Sequence, residues 1–169
     1  MDDITKEALS EKDKLMTSMK TVIISTINDD SIPNSSYAPA AIDEDGYFYI
    51  YISKLSQHTR NLLKNPMTSL MIIEDESKSE NIFARKRFTI NASAEVIERE
   101  SSLWFDKIQI LESKFGESLT FLKKLTDFHL FKIEPKNGLL VYGFARAFKF
   151  KNKKLDQIVH MNDQGHTTK

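Results

Sequence analysis

Apolar and polar positions change rhythm several times along the chain, and each rhythm predicts an element. Ile4, Ala8, Leu9, Leu15, Met16 and Met19 recur among charges at spacings that suit a short amphipathic helix over residues 4–19. Thr21 to Ile27 is β-branched at nearly every position and reads as a strand, followed by the turn residues Asn28 to Ser31. A second extended run, Ser35 to Ile42, leads through Asp43-Glu44-Asp45-Gly46, a hairpin signal, into Tyr47 to Ser53, the strongest strand in the chain. Lys54 to Asn65 has a helical pattern that Pro66 stops, and Thr68 to Ile73 is again a strand. After a polar, acidic loop over 74–81, alternation at Phe88, Ile90, Ala92, Ala94 and Val96 predicts a long strand over Phe83–Arg99. Residues 101–125 carry one long helical pattern through Trp104, Ile108, Leu111, Phe115, Leu119, Leu122 and Leu125, with Gly116 as its point of interruption. Phe128–Ile133 is a strand. Leu139–Val141 leads through Gly143 into a final strand at Ala147–Phe150, and Lys151–Lys169 is a polar, patternless and flexible tail.

Antiparallel strands joined by short turns, with few helices between them, predict an α+β fold. The expectation is a six-to-seven-stranded antiparallel β-barrel, closed or partly closed, with helices packed on it. At 169 residues the chain is one domain, 1–169, with a core large enough to need no staples. The 24 cationic and 24 acidic side chains cancel, which argues against a nucleic-acid partner. With no cysteine, disulfides, thiolate metal sites and cysteine nucleophiles are excluded, so a metal or catalytic centre must draw on four histidines and the carboxylates. The charged first residues do not form a signal peptide, and no window has the run of apolar residues that a spanning helix needs. No membrane partner and a cytoplasmic location are expected.

Three stretches could carry chemistry. Ser53, Ser56, Thr59 and Arg60 follow the strongest strand and open a helix, where free amides, hydroxyls and a guanidinium suit a phosphate or carboxylate; a plain N-cap on a solvated helix is the plainer reading. Arg85 and Arg87 share a face if their segment is extended and could clamp an anion, or could simply pair with acidic neighbours. Arg146, Lys149, Lys151, Lys153 and Lys154 precede His160 and His166 in the tail. Histidines in a polar tail are usually solvated, but an imidazole is also a common haem ligand, with Met161 a weaker one. Asp127 is either a turn residue or a carboxylate that orients a ligating imidazole, and His129 is read as structural. A glycine-rich phosphate loop is absent.

Five ordered elements carry a resemblance. They are Ser53-x-Leu55-x-x-His58-Thr59-x-Asn61-Leu62, Asn65-Pro66-x-x-Ser69-Leu70, Ala84-Arg85-x-Arg87, Asp127-Phe128-x-Leu130 and Gly143-Phe144-x-Arg146-Ala147. Together they resemble the HutZ/HugZ haem-utilisation family of the split β-barrel superfamily, relatives of the flavin-binding pyridoxamine-phosphate oxidases. Ala145 stands where that family often has glycine.

The resemblance implies a split-barrel homodimer that binds haem b in a cleft between subunits and degrades it to iron and a biliverdin-like tetrapyrrole, using an electron donor. By position, His166 matches the family's axial iron ligand, with His160 the runner-up. Asp127 matches the carboxylate that supports it, Arg87 the distal arginine and His58 the histidine after the strong strand. Two other readings stay open. One is an FMN-dependent oxidoreductase using Ser53, Thr59, Arg60, Arg85 and Arg87 for the flavin; the other is a haem carrier or storage protein without turnover.

Overall fold

The computed structural model describes residues 2–161. Helix α1 (Asp3–Ser18) is capped by the Asp2 carboxylate, which accepts from the Thr5 amide at 2.7 Å. Strands β1 (Thr21–Ile27), β2 (Pro33–Ile42) and β3 (Phe48–Ser53) follow, then α2 (Gln57–Lys64), β4 (Met67–Ile73), two short 3₁₀ turns, and β5 (Arg87–Ile97). Helices α3 (Ser102–Phe115) and α4 (Glu117–Leu122) precede β6 (Phe128–Val141), β7 (Ala147–Lys151) and β8 (Gln157–His160).

All pairings are antiparallel in the order β3-β2-β1-β4-β5-β6-β7-β8, and β3 also pairs with β6. That last pairing closes six strands into a barrel and leaves β7 and β8 as an extension. β6 serves both parts: residues 128–133 pair with β3, and residues 137–141 pair with β7.

Inward residues fill the barrel, among them Ile24, Ile50, Leu70, Phe88, Ile90, Phe131 and Phe148. Every residue of β3 from Phe48 to Ile52 is buried because its outer side chains are covered too. Tyr49 and Tyr51 lie in a second cluster with Trp104, Ile108 and Leu111 of α3. The helices segregate to particular faces, as the α+β reading requires.

The long helical pattern over 101–125 is interrupted at Gly116 as expected, where φ +60° and ψ −136° break the ladder and leave two helices. Three expectations need correction. The two segments at Phe128–Ile133 and Leu139–Val141 are one strand, with a register shift between Asn91 and Ala92 opposite it. The strand expected from Phe83 begins at Arg87, because residues 82–84 form a 3₁₀ turn. The segment after Lys151, read as a flexible tail, contains β8, registered on β7 from Lys151↔Gln157 to Phe148↔His160.

Candidate functional site

The residues singled out in the sequence fall into two groups, at the two ends of β5. Ile97 at one end pairs with Leu130, close to Asp127 and the end of β3, while Arg87 at the other end pairs with Val141, close to the β6–β7 loop. Eleven residues of strand separate the ends, roughly 30 Å or more at about 3.3 Å per residue.

At the first end, Ser53 and Asp127 are bonded. The Ser53 hydroxyl donates to Asp127 Oδ2 at 2.5 Å and accepts from the Leu55 amide at 3.0 Å. The Lys54 amide donates to the Asp127 carbonyl at 2.8 Å. Asp127 is thus held at a half-buried turn by the end of β3. Arg60 does not face outward as a free cation. Its guanidinium donates to the Lys54 and Leu55 carbonyls and to Gln57 Oε1, bracing the loop that Ser53 opens.

The inner side of α2 plugs this barrel end with polar groups. His58 is buried and its Nδ1 meets Ser36 Oγ at 2.8 Å; Asn61 donates to Thr26 Oγ1 at 2.9 Å. Burial holds the His58 pKa below the ordinary histidine value. Thr59 is fully buried, and Thr59 Oγ1 and His58 Nε2 have no partner among the described residues. Ser56 caps α2 without a side-chain bond. These placements make His58 and Thr59 parts of the barrel plug, on the buried side of α2.

Arg99, which the sequence did not flag, fastens the same end. Its guanidinium donates to the Tyr51 hydroxyl at 3.1 Å, to the Leu125 carbonyl at 2.9 Å and to the Lys123 carbonyl at 2.5 Å. It therefore anchors the turn that delivers Asp127. An arginine after a long strand gives no sequence signal of that task. His129 shares the inward side of β6 with Phe131, opposite to Phe128 and Leu130 as expected. Burial, with help from Lys54, lowers its pKa, against an opposing pull from Asp127.

At the second end, Arg85 and Arg87 do not form the expected pair on one strand face. Arg85 caps a 3₁₀ turn, donates to the Glu74 carbonyl through Nε (2.8 Å) and Nη2 (2.5 Å), and pairs with Glu76 at 2.9 Å. Its donors are spent on the 74–86 loop. Arg87 opens β5 and donates to the Arg85 carbonyl at 2.9 Å. It has no ion pair among the described residues and keeps donors to offer. His160 closes β8 nearby, and Met161 continues as its amide donates to the Ala147 carbonyl at 3.0 Å. His166 lies outside the described residues.

One outer face of the barrel is also unusual. Paired residues across β2, β1, β4, β5, β6, β7 and β8 form a row of Tyr37, Ile23, Met71, Thr89, Leu139, Lys149 and Val159. The apolar members belong to neither hydrophobic cluster, and Tyr37 is 66 % exposed. No helix among the described residues is long and apolar enough to cross a membrane.

Comparison with known proteins gives this geometry a family. The profile described as "Pyridoxamine 5'-phosphate oxidase" matches residues 9–142. The protein named heme oxygenase HutZ from Vibrio cholerae is 42 % identical over 147 residues, which cover 87 % of this chain and 82 % of that protein. The crystal structure of HutZ, called there a heme storage protein, superposes with a TM-score of 0.74 at 36 % identity, covering 86 % of this chain and 96 % of that one. The crystal structure of ChuZ from Campylobacter jejuni gives a TM-score of 0.84 at 32 % identity, covering 97 % of this chain and 66 % of that one. With its closed six-stranded barrel, its two added strands and these relatives, the chain belongs to the pyridoxamine 5'-phosphate oxidase-like split-barrel family, in its HutZ branch.

Proposed function

We propose that this protein is a haem-degrading oxygenase that takes haem b as its substrate, in clefts between the two subunits of a homodimer, and releases iron and a biliverdin-like tetrapyrrole. The observation that carries the reading is the 42 % identity to a protein named heme oxygenase over most of both chains. The geometry supports the two-subunit part. Arg87 and Asp127, both expected at the haem, stand at opposite ends of β5. β8 ends beside Ala147, at the Arg87 end, so the segment leading on to His166 starts at the end of the barrel away from its own Asp127. A two-fold axis lying in the packed outer face and running across β5 would bring one end of each barrel to the opposite end of the other.

The residues fit haem as follows. His166, through one ring nitrogen, would hold the iron. The Asp127 carboxylate keeps one oxygen on Ser53 and has the other to accept from the second ring nitrogen, which fixes the tautomer and raises the basicity of the ligand. Arg87, with donors uncommitted, would supply hydrogen bonds on the open side of the ring. The substrate carries the oxidation chemistry, and the protein contributes ligation, orientation and electrostatics. The electron donor is a separate partner. The flavin alternative draws less support, because Arg60 and Arg85, two of its phosphate clamps, are spent on their own loops. A carrier without turnover keeps support from the crystal structure in which HutZ is called a heme storage protein.

Absorption spectra test this. The purified protein is titrated with one equivalent of hemin, then given ascorbate in air. A Soret band that forms and then bleaches to a biliverdin-like spectrum is expected. A Soret band stable to reductant and oxygen turns the reading to a carrier, and a bound yellow chromophore with no Soret band turns it to a flavoprotein.

A further inference from the structure

His160 was one of two candidate iron ligands, and its surroundings assign it other work. Its ring lies on Phe148, centroids 4.3 Å apart and planes within 10°. Phe148 is fully buried on β7, between β6 and β8, and Tyr142 at the end of β6 stacks with it at 5.6 Å and 20°. The Arg146 guanidinium sits 5.5 Å from the Tyr142 ring and pairs with the Glu7 carboxylate of α1. The result is a row of Arg146, Tyr142, Phe148 and His160 on the inner face of the barrel extension.

The same imidazole also makes a polar contact. His160 Nε2 meets the Ala145 carbonyl at 3.3 Å, and a carbonyl can only accept, so this nitrogen carries a proton. Ala145 lies at φ +56°, an unusual angle for a residue with a Cβ, within a turn closed by the Arg146 amide on the Gly143 carbonyl. The turn thus aims the carbonyl at the last residue of β8. A ring with Nε2 donating and one face covered must break both contacts to reach iron through that nitrogen.

We propose that His160 is a positioning residue and not the iron ligand: stacked on Phe148 and bonded to the Ala145 carbonyl, it fixes the end of β8 and thereby the starting point of the segment that bears His166. The haem part rests on the reading of the function given above. The anchoring of β8 stands on the contacts alone. The stack adds to the β7–β8 pairing, and because β8 is only four residues long, an aromatic pair worth about as much as a hydrogen bond is a large part of what holds its end.

The test compares His160→Phe, which keeps the stack and loses the ring nitrogen, with His160→Ala, which loses both, on the full chain. The first measurement is trypsin cleavage of the apo-protein after Lys151, Lys153 and Lys154. Cleavage is expected to speed up about tenfold in His160→Ala and to stay within about twofold of the parent in His160→Phe. The second is hemin titration with the ferric electron paramagnetic resonance spectrum. The ligand signature is expected to be unchanged in both variants, with hemin affinity about tenfold weaker in His160→Ala and near parental in His160→Phe. Loss of the imidazole signature in His160→Phe makes His160 the ligand and overturns the proposal. Parental cleavage in His160→Ala overturns the anchor. Should the parent bind no hemin, the haem reading fails while the cleavage comparison still decides the anchor.

Discussion

Ser53 and Asp127, 74 positions apart, share a 2.5 Å hydrogen bond that ties the end of β3 to the turn before β6. Ser53→Ala removes the donor and leaves a half-buried carboxylate with one fewer partner, for an expected loss of about 1–2 kcal/mol in chemical denaturation. Asp127→Ala is expected to bind hemin and to degrade it at least about tenfold more slowly, followed as bleaching of the Soret band with ascorbate in air. Equal bleaching rates would remove Asp127 from the reaction.

The placement of Arg87 and Asp127 at opposite ends of β5 makes a sharper demand. His166→Ala is expected to abolish the Soret shift in the homodimer. Mixed dimers of His166→Ala and Asp127→Ala chains, isolated with two affinity tags, carry one wild-type site if the two residues meet across the interface. They are expected to recover about half the parental activity. No recovery would place both residues in the same chain's site.

The outer-face row of Tyr37, Ile23, Met71 and Leu139, in which Tyr37 and Leu139 are exposed and the other two half-buried, is expected to be the covered face of the dimer. Tyr37→Glu combined with Met71→Glu adds two like charges to it. Sedimentation velocity should show the parent as a dimer and the variant as a monomer. A monomeric parent would reject both the dimer and the two-chain site.

Acid sensitivity should reside in the barrel plug. Burial lowers the His58 pKa, so on acidification the unfolded chain binds this proton before the folded one does. The stability linked to His58 is full above about pH 6.5 and is lost as pH falls towards the folded value. Denaturation midpoints at pH 7.5 and 5.5 should drop less in His58→Gln than in the parent. An equal drop would assign the effect to His129, whose pKa is lowered in the same direction.

Gly116 separates α3 from α4 at a positive φ with open space around the position a Cβ would take. Gly116→Ala therefore adds backbone strain with no clash, for an expected cost of about 1–2 kcal/mol in denaturant. A neutral result would show that the break tolerates a rearranged helix pair.

The sequence and the structure agree most where one face is buried in a regular rhythm. β1, β4 and β5 as far as Ala94 alternate, and the barrel class follows from them. The break at Gly116 was visible for the same local reason. β8 was not, because four residues among lysines carry no period, and its order comes from Phe148 and β7. Arg85 misled because two residues spaced by two share a face only in a strand, and the carbonyl of Glu74 holds this one in a turn. Asp127 was legible as a carboxylate in a distinctive motif. Its bond to Ser53, its bracing by Arg99 and its distance from Arg87 depend on strand register, which no local pattern encodes.

Helix α1 holds segments distant from it in the chain. Glu11 meets Lys86, Glu7 meets Arg146, and Lys12 donates to the Leu155 carbonyl. The polar face of this helix must therefore wait for β5, the β6–β7 loop and the loop before β8 to dock before it has its partners. Its apolar face, with Ala8 and Leu15, waits as long for Phe148, Phe150 and Leu155 to fill out the cluster it joins. This end of the barrel is therefore sealed by contacts that span 75 to 143 positions of the chain, so it closes late in folding, after the local hairpins have formed.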